Sequence, residues 1–485
     1  MAAITENYLK HAEISPNKIA IQTQSEKITY AKWQELITKT ANWLDSHNLP
    51  TKTLGILLPN GIPFLQLFTG AASAGWIAVP FDARWTETEL QTRLTLSGTS
   101  LVITTRDRQP FLKNLPSIVI AWEDCLEEIT RTSASKGPTP DGALPFYMGF
   151  TSGSTGEPKA FIRSHSSWVA SFDCTRVDFE IAENDTVLIP GPLIHSHFLY
   201  GAISTLYLGG TVSLLEKFSA KRTLTLIEME PISVVYVVPT MVAAMIRENQ
   251  VITKPMKILS SGAKWEENSK QQIRKFFVNI MMFEFYGASE LSFVTVLSDD
   301  DSNRKPGSVG KPCHNVEIQI RRTDGKSANT NEPGKIYVKS EMIFLGYLPC
   351  KQESIRDEHG WITVDDMGYL DEDGFLYIAG REKNMILYGG INIFPEEVEK
   401  VLSLHPDVEE VAVVGLSDPY WGQIVAAAVK GNAALVDLKK ICRENLASFK
   451  IPRKWVYVNE MPHTTSGKIA RPQVKKLIGS KVNVH

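Results

Sequence analysis

The stretch that decides how this chain is interpreted is Thr151-Ser152-Gly153-Ser154-Thr155-Gly156-Glu157-Pro158-Lys159. The apolar run at 146–150 leads directly into it and is typical of a buried strand. Glycines let backbone N–H groups turn toward a ligand, hydroxyl groups add donors for anionic oxygens, and Lys159 adds a full positive charge. The composition therefore predicts a phosphate-binding loop. A solvated Ser/Gly linker has a similar composition, but the adjoining strand favours the loop.

Two other glycine-containing motifs do not fit this stretch. A Walker A loop requires Gly-x4-Gly-Lys-Ser/Thr, a pattern that the chain lacks. A nucleophile elbow requires Gly-x-Ser-x-Gly, and residues 149–153 place Thr151 where the serine would stand. The sequence therefore disfavours both a P-loop NTPase and a serine hydrolase.

Length and composition indicate an ordinary globular protein with more than one domain. The 485 residues suggest roughly two to four domains, and the hydrophobic fraction of 43% and charged fraction of 22% are average values. The net charge of −3 gives no general attraction to nucleic acid or to an anionic membrane. We therefore expect no nucleic-acid partner. Because no apolar run reaches the ~20 residues of a membrane span, we also expect no stable membrane insertion.

The five cysteines and the N-terminus indicate a reducing compartment. The cysteines are far apart, odd in number and without a Cys-x-x-Cys pair, which disfavours a disulfide framework or a structural zinc site. Residues 1–6 lack the basic and apolar regions of a signal peptide. The sequence therefore predicts a cytoplasmic protein.

Hydrophobic patterns divide the chain into a large N-terminal part and a small C-terminal part. On both sides of the phosphate-binding loop, short apolar strands alternate with helical stretches, as in a parallel sheet covered on both faces. The pattern then changes to strands and turns, including a strand predicted at 361–364, before a final α+β segment. We predict an α/β fold. Its large N-terminal domain, 1–382, has two βαβ-type sheets plus a β subdomain at about 308–380, and a small α+β domain, 383–485, follows.

A second motif, Tyr286-Gly287-Ala288-Ser289-Glu290, follows a strand predicted at 281–285. Open α/β sheets bind ligands at the carboxyl ends of their strands. There an aromatic ring offers a face for a purine, and the oxygen atoms of Glu290 suit a magnesium ion. A strand-end turn with a core tyrosine would explain the same residues, so the motif alone leaves both interpretations open.

Together, these motifs resemble those of the adenylate-forming superfamily, which contains acyl-CoA synthetases, peptide-synthetase adenylation domains and luciferases. The family's phosphate-binding signature is Thr-Ser-Gly-Thr/Ser-Thr-Gly-x-Pro-Lys-Gly, from which this chain departs by Ala160 at the last glycine. The family's adenine motif is Tyr-Gly-x-Thr/Ser-Glu. The resemblance covers the chain from about residue 10 to 475 and implies ATP, Mg²⁺ and coenzyme A as ligands.

The resemblance assigns nucleotide-binding roles to residues along most of the chain. Tyr286 would stack on adenine, Ser289 would lie near the α-phosphate, and Glu290 would bind magnesium and take part in catalysis. The complete set of ATP- and AMP-binding residues implied in this way is Thr151, Ser152, Gly153, Ser154, Thr155, Gly156, Lys159, Gly262, Ala263, Tyr286, Gly287, Ala288, Ser289, Asp366, Ile378, Arg381 and Lys468.

A pair of motifs, Asp365-Asp366 and Gly380-Arg381, resembles the family's Gly-Asp and Gly-Arg pair, which holds the ribose. An acidic side chain accepts hydrogen bonds from ribose hydroxyl groups, and a guanidinium supports the sugar or its phosphate. Asp366 and Arg381 are the matching positions. Because Asp365 stands where the family has glycine, the sequence leaves open which acidic side chain points inward.

The C-terminal segment carries the remaining family motifs. Lys468 matches the catalytic lysine that bridges the attacking carboxylate and the α-phosphate, where a fixed cation stabilises developing negative charge. Lys383 matches the hinge between the domains, and Gly389 and Gly390 match a segment that borders the coenzyme A tunnel. Surface charge or a tight turn would explain each residue alone, so these roles rest on the resemblance.

The acyl substrate is the least determined part of the prediction. In amino-acid adenylation domains an aspartate anchors the substrate ammonium group, whereas this chain has His195 at the matching position. We therefore expect an acid without an α-amino group, with His195 as a catalytic residue that gates the acyl pocket. Aromatic side chains around this pocket favour a medium-chain fatty or aryl acid. The residues expected to line it are His195, Tyr200, Tyr236, Val238 and Gly262.

The resulting prediction is an ATP-dependent acid–CoA ligase. A carboxylate and ATP would give an acyl-adenylate and pyrophosphate, and coenzyme A would then give acyl-CoA and AMP. The alternatives are an adenylation enzyme that loads an acyl carrier protein, a luciferase-like oxygenase, and an inactive nucleotide-binding homologue. Intact motif residues, among them Lys468 and Glu290, disfavour the inactive homologue. The sequence leaves a homodimer open.

Overall fold

The computed structural model of the protein describes residues 2–113, 115–135, 137, 139–152, 158–260, 265, 267–348, 356–388, 391–464 and 468–482. At 152, 267, 268, 392, 481 and 482 it describes the backbone alone.

Short strands and medium-length helices make up the regular structure of the described chain. The strands are β1 (Ile19–Gln22), β2 (Lys27–Thr29), β3 (Thr53–Leu57), β4 (Ile77–Pro80), β5 (Leu101–Thr104), β6 (Ile118–Ala121), β7 (Pro145–Ser152), β8 (Pro158–Ser164), β9 (Thr186–Ile189), β10 (Thr211–Leu214), β11 (Val234–Val237), β12 (Met256–Ser260), β13 (Ile280–Ala288), β14 (Ser292–Ser298), β15 (Lys311–Pro312), β16 (Glu317–Arg321), β17 (Gly334–Lys339), β18 (Gly346–Leu348), β19 (Asp366–Leu370), β20 (Leu376–Arg381), β21 (Ile386–Tyr388), β22 (Ile391–Ile393), β23 (Val408–Asp418), β24 (Gly422–Gly431) and β25 (Lys454–Tyr457). The helices are α1 (Glu6–Ile14), α2 (Tyr30–Asp45), α3 (Ile62–Ser73), α4 (Glu87–Ser97), α5 (Trp122–Arg131), α6 (His165–Val177), α7 (Ser196–Leu208), α8 (Ala220–Met229), α9 (Pro239–Arg247), α10 (Glu267–Phe276), α11 (Asp299–Arg304), α12 (Pro395–Leu402), α13 (Leu435–Asn445) and α14 (Arg471–Val482). Short 3-10 turns lie at Gln109–Leu112, Glu382–Asn384 and Ser448–Lys450.

By its internal contacts, the described part of the chain divides into two compact units. The first comprises Met1–Glu317 and Val338–Gly360, and the second comprises Ile318–Tyr337 and Trp361–His485. The second unit therefore groups strands of the expected β subdomain with the C-terminal α+β segment. The domain boundary expected at residues 382 and 383 stays a prediction.

The first unit is built on sheets whose central strands are parallel. One has the strand order β15-β14-β13-β12-β11-β9-β10-β1-β2, and another has the order β18-β8-β7-β4-β3-β5-β6. Pairing is parallel from β1 to β13 in the first sheet and from β7 to β6 in the second, and antiparallel strands complete the edges. The alternation of strands and helices in the sequence predicted these parallel sheets correctly.

Helix positions in the first unit follow local sequence signals. The side chain of Thr86 accepts a hydrogen bond from the backbone amide of Glu89 at the start of α4, and the Glu89 side chain accepts one in return. This is a capping box, which the spacing Thr86-x-x-Glu89 in the sequence predicts. Helix α3 is buried along most of its length, in keeping with its nearly continuous apolar sequence.

The second unit contains an antiparallel sheet of order β16-β17-β19-β20 and a C-terminal sheet of order β22-β21-β24-β23, with β25 beside β24. The prediction of a strand at 361–364 is wrong: β17 ends at Lys339, and β19 begins at Asp366. Asp365 adopts φ = 64°, in the left-handed region, and this turn separates the predicted segment from the strand.

Alternation along β23 explains how the C-terminal sheet is covered. Val411 and Val413 belong to the apolar core that includes α12 and α13, whereas Ala412 and Val414 belong to the core that includes α14. Successive side chains of a strand point to opposite faces, so one strand serves both cores. The predicted α+β pattern is confirmed. Within the described ranges, no helix is long and apolar enough to cross a bilayer.

Candidate active site

The predicted phosphate-binding loop connects two antiparallel strands. Strand β7 leads into it and β8 leads out, with Thr151 paired to Lys159 at its base. Lys159 is exposed, and its Nζ lies 5.2 Å from the centre of the Tyr347 ring. The side chain of Ser152 lies outside the described part of the structure. The same is true of the predicted site residues Gly153, Ser154, Thr155, Gly156, Gly262, Ala263, Gly389 and Gly390.

The predicted adenine motif lies at the carboxyl end of β13, where the strand turns back into β14. Pairing between the two strands shifts register between Tyr286 and Gly287. A Cβ atom at Gly287 would lie 2.0 Å from the carbonyl oxygen of Ser292, so the turn requires glycine. Ser292 adopts φ = 59°, which reverses the chain after Glu290. The strand end expected from the sequence is therefore present, with Ala288 and Ser289 leading into the turn.

The carboxylate and the backbone carbonyl of Glu290 each accept a hydrogen bond. The Tyr347 hydroxyl donates a hydrogen bond to Glu290 Oε1, and the backbone amide of Phe344 donates to the Glu290 carbonyl at 2.9 Å. Tyr347 belongs to β18, which pairs with β8 beside Lys159. The structure thus brings two predicted residues, Lys159 and Glu290, to the same tyrosine.

The donor set around Glu290 fits a magnesium ion. A carboxylate has about four lone-pair positions, so the hydrogen bond from Tyr347 leaves most of its capacity for a cation. Mg²⁺ prefers oxygen ligands and is commonly held by one or two carboxylates together with phosphate oxygens. Glu290 would supply the carboxylate, and the adjoining loop would hold the phosphates.

Arg163 is a site residue that the sequence interpretation missed. It is 2% exposed, and its guanidinium donates to the carbonyl oxygen of Ser289 at 2.8 Å, to Ser292 Oγ at 2.6 Å and to the carbonyl oxygen of Met342 at 2.6 Å. Burial lowers the pKa of Arg163 to about 10, so the group stays charged at neutral pH. An arginine in the otherwise apolar end of β8 was the available signal.

The predicted pocket residues fall into two environments. His195 is exposed and precedes α7. Two effects lower the pKa of His195: first the burial of part of its ring, and second the positive charge of Arg84. The imidazole is therefore mostly neutral at pH 7. Tyr200 is instead buried, and its hydroxyl donates to the carbonyl oxygen of Ser171 at 2.8 Å.

His197 belongs to an aromatic cluster with Phe285 and with Tyr236, which is 1% exposed. Its Nε2 donates to the carbonyl oxygen of Val237 at 2.9 Å, and its ring centre lies 5.1 Å from that of Tyr236 and 5.8 Å from that of Phe285. Burial lowers the pKa of His197 to about 4, so this histidine is neutral. Val238, which directly precedes α9, is partly exposed. This packing role of His197 was not predicted from the sequence.

In the second unit, Asp366 and Arg381 form the expected pair. They face each other across β19 and β20, with Arg381 Nε 2.9 Å from Asp366 Oδ1. Asp366 is 6% exposed, whereas Asp365 is exposed and lies 3.4 Å from Lys335 Nζ. Asp366 is therefore the inward carboxylate. Asp365 adopts the left-handed conformation, which explains the glycine of the family pattern at this position. Aspartate enters this region more readily than most residues, so the departure is tolerated.

The remaining predicted residues of the second unit lie at its surface. Ile378 is 36% exposed on β20, and Lys383 is exposed in the 3-10 turn Glu382–Asn384. Lys468 is exposed, with its backbone amide donating to Thr464 Oγ1 at 3.2 Å. His463 and Ile469, on either side of this lysine in the sequence, form an antiparallel bridge.

Comparison with known proteins identifies the family. The model for the AMP-binding enzyme matches residues 9–348, and that for the AMP-binding enzyme C-terminal domain matches 397–468. An uncharacterized acyl-CoA ligase, YhfT of Bacillus subtilis, is 52% identical over 99% of both chains. The long-chain-fatty-acid–CoA ligase FadD13 of Mycobacterium tuberculosis is 29% identical over 98% of both.

Solved structures agree with this assignment. The o-succinylbenzoate CoA synthetase MenE from Bacillus subtilis, in complex with its acyl-adenylate intermediate, matches with a TM-score of 0.86 and 28% identity over 96% of this chain and 97% of that one. The same synthetase in complex with ATP and magnesium matches with a TM-score of 0.86 and 28% identity over 96% and 98% of the two chains. The chain therefore belongs to the AMP-binding enzyme family and is an adenylate-forming acyl-CoA synthetase.

Proposed function

We propose that this synthetase joins a medium-chain fatty or aryl acid to coenzyme A. The carboxylate attacks the α-phosphorus of ATP, which releases pyrophosphate and leaves an acyl-adenylate. The thiol of coenzyme A then attacks the acyl carbon, and AMP leaves. The observation that carries the proposal is the grouping of Lys159, Tyr347 and Glu290 at the base of the phosphate-binding hairpin.

Each charged group of this cluster has a separate task in adenylate formation. Lys159 and the loop before it would bind the phosphates of ATP, and Glu290 would hold Mg²⁺, whose charge offsets that of the phosphates. Arg163 donates to the carbonyl oxygen of Ser289, and we expect this bond to limit movement of Glu290 when its ligand binds. Tyr286 would stack on the adenine.

Residues of the second unit would complete the reaction. The buried Asp366 would accept hydrogen bonds from the ribose hydroxyl groups, with Arg381 supporting it. Lys468 would neutralise charge that develops on the α-phosphate and the attacking carboxylate. The segment 383–485 would rotate about Lys383 between the two half-reactions, so that Gly389 and Gly390 border the coenzyme A tunnel.

The aromatic cluster of His197, Tyr236 and Phe285 supports the acid class. The ring centre of His197 lies within 6 Å of those of Tyr236 and Phe285. Because the imidazole of His197 is neutral, the cluster carries no charge from this residue. The side chain of His195 itself offers no carboxylate to the ammonium group of an amino acid. An aryl ring or a medium-length acyl chain would gain the most from contact with the partly exposed His197 and Phe285. We place this reaction in the cytoplasm, because Cys125, Cys174, Cys313 and Cys442 are free thiols.

The test is carboxylate-dependent pyrophosphate release across a panel of fatty, aryl and amino acids, with and without coenzyme A. Turnover of a fatty or aryl acid that proceeds to thioester only with coenzyme A would support the proposal. Adenylation that responds to a phosphopantetheinylated carrier protein and ignores coenzyme A would replace it with the loading reaction. Folded protein that binds ATP but adenylates none of the acids would contradict it. Light scattering on the same sample would decide between a monomer and a homodimer.

A further inference from the structure

The first unit contains a compact group of side chains of the types that bind metal ions, which the ligase reaction does not use. The Sγ atoms of Cys174 and Cys313 and an oxygen of Asp178 lie within 4.8 Å of one another. Cys174 is 0% exposed and Cys313 is 2% exposed, while Asp178 is half-buried. Spacing along the sequence argued against a structural zinc site, because it could not show that the fold joins the end of α6 to the segment after β15.

Further donor atoms surround Cys174. The oxygen Oδ1 of Asn315 lies 3.0 Å from Cys174 Sγ, and the Nδ2 of the same amide donates to the carbonyl oxygen of Ala170 at 2.9 Å. This second bond keeps Oδ1 directed at the sulfur. The thioether of Met342 lies 3.6 Å from Cys174 Sγ. The group thus combines soft sulfur donors with oxygen donors, as zinc-class cations prefer.

We propose that Cys174, Cys313 and Asp178 form a binding site for one zinc-class divalent cation, with Asn315 as the fourth ligand. Tetrahedral zinc with Zn–S bonds of about 2.3 Å sets two sulfur ligands about 3.8 Å apart, so the observed group needs only a small contraction. The Asp178 carboxylate already accepts bonds from the His314 amide at 3.1 and 3.2 Å. Such outer contacts orient a ligand before the metal arrives.

Metal binding at this group must displace protons. The hydrogen bond with the Cys174 thiol, and then burial, raise the pKa of Cys313, and burial raises the pKa of Asp178. The reaction is therefore Zn²⁺ plus two thiols giving a zinc dithiolate and two protons. Apparent affinity should rise with pH through the neutral range.

The group adjoins the framework of the candidate active site. Met342 contacts Cys174 through its sulfur, and its carbonyl oxygen accepts a hydrogen bond from Arg163. A bound cation would tie α6 and the segment around Cys313 together beside this arginine. The expected role is stabilisation of the first unit, separate from the chemistry of acid activation.

The test is titration of the full-length, reduced and metal-free protein with Cd²⁺, read from the ultraviolet charge-transfer band of cadmium thiolates. We expect one equivalent to bind, Zn²⁺ to displace it, and Zn²⁺ to raise the thermal midpoint. Cys174→Ser and Cys313→Ser should lose the band. Asp178→Asn keeps both thiols and nearly the same volume, and it should bind at least about 10-fold more weakly.

Cys125→Ser is the matched control, because Cys125 is also fully buried but lies outside the group. It should bind as the wild type does. Absence of the cadmium band in the wild type, or its persistence in both Cys174→Ser and Cys313→Ser, would overturn the proposal. Reduced protein that takes up no metal but forms a Cys174–Cys313 disulfide with glutathione disulfide would also overturn it, in favour of a redox pair.

Discussion

The turn that carries Glu290 and the loop that carries Lys468 hold their charged side chains differently. Glu290 accepts a hydrogen bond from Tyr347, and the buried Arg163 fixes the backbone of the residue before it. Lys468 is exposed, although its backbone amide is bonded to Thr464. We infer that the first unit presents a preorganised receptor for magnesium and ATP, whereas the lysine obtains its partner from the substrate.

This difference has a physical reason. A group that binds ATP in the ground state gains from being ordered in advance, because ordering then costs nothing when the ligand arrives. A group such as Lys468, which stabilises charge that develops only during adenylate formation, must leave the active site before coenzyme A attacks there. Changes to either region should therefore have different kinetic signatures.

The largest effect is expected at Lys468. Lys468→Ala should lower adenylate formation by about 10²–10³-fold, because no fixed cation then offsets the charge developing at the α-phosphate. ATP–pyrophosphate exchange in the presence of the acid measures this step. Lys475→Ala, a change in the exposed face of α14, serves as the control and should keep wild-type exchange. Exchange by Lys468→Ala within a few-fold of wild type would remove this residue from the mechanism.

A smaller effect is expected at Arg163. Arg163→Met should lower kcat/KM for magnesium ATP by about 10–100-fold, because the carbonyl oxygens of Ser289 and Met342 lose a charged donor. Arg163→Lys keeps the charge and part of the bonding, so it should recover some of the loss. The KM of coenzyme A should not change in either variant. Equal losses for every substrate would indicate general unfolding instead of displacement of Glu290.

The two adjacent acids of the second unit offer a matched pair. Asp366→Asn should weaken AMP binding by about 10-fold, because a buried charge-assisted acceptor for the ribose is lost. Asp365→Asn should stay within about twofold of wild type, since this side chain is exposed and asparagine also tolerates its positive φ. Calorimetric titration with AMP measures both. A larger loss in Asp365→Asn would reverse our assignment of the inward carboxylate.

The smallest effect concerns acid stability. Burial lowers the pKa of His165 to about 4 from its usual value of 6.5, so the unfolded chain binds a proton before the folded chain does. Stability should therefore fall as the pH drops from 6.5 to 4, with about 3 kcal/mol at most from this group. The thermal midpoint of His165→Asn, whose amide can still accept from Ile4, should depend less steeply on pH. Identical slopes would contradict this.

Local sequence patterns predicted the features that short stretches of chain determine. The capping box at Thr86 and the parallel strands follow from spacing and periodicity, and the motif match grouped Asp366 with Arg381, which lie opposite each other on β19 and β20. Strand limits were less accurate, because the positive φ of Asp365 delays β19. Sequence alone also left open the choice between Asp365 and Asp366, which burial decides.

Contacts between distant segments were not predictable from such patterns. Arg163 reaches Ser289, Ser292 and Met342, and the hydroxyl of Tyr347 reaches Glu290, across stretches that share no local periodicity. The same is true of Cys174 and Cys313. In each case the fold joins separate strand ends and helix ends, so the sequence around an arginine, tyrosine or cysteine does not show which distant residue it contacts.

The most direct test of the account measures the two half-reactions separately in Lys468→Ala and Lys383→Pro. Lys468→Ala should lose ATP–pyrophosphate exchange yet convert a synthetic acyl-adenylate and coenzyme A to thioester at nearly the wild-type rate. Lys383→Pro should show the opposite pattern, because a fixed φ at the hinge blocks the rotation needed for the second step. Loss of both half-reactions in folded Lys468→Ala protein, or unchanged thioester formation in Lys383→Pro, would contradict the proposed division of labour.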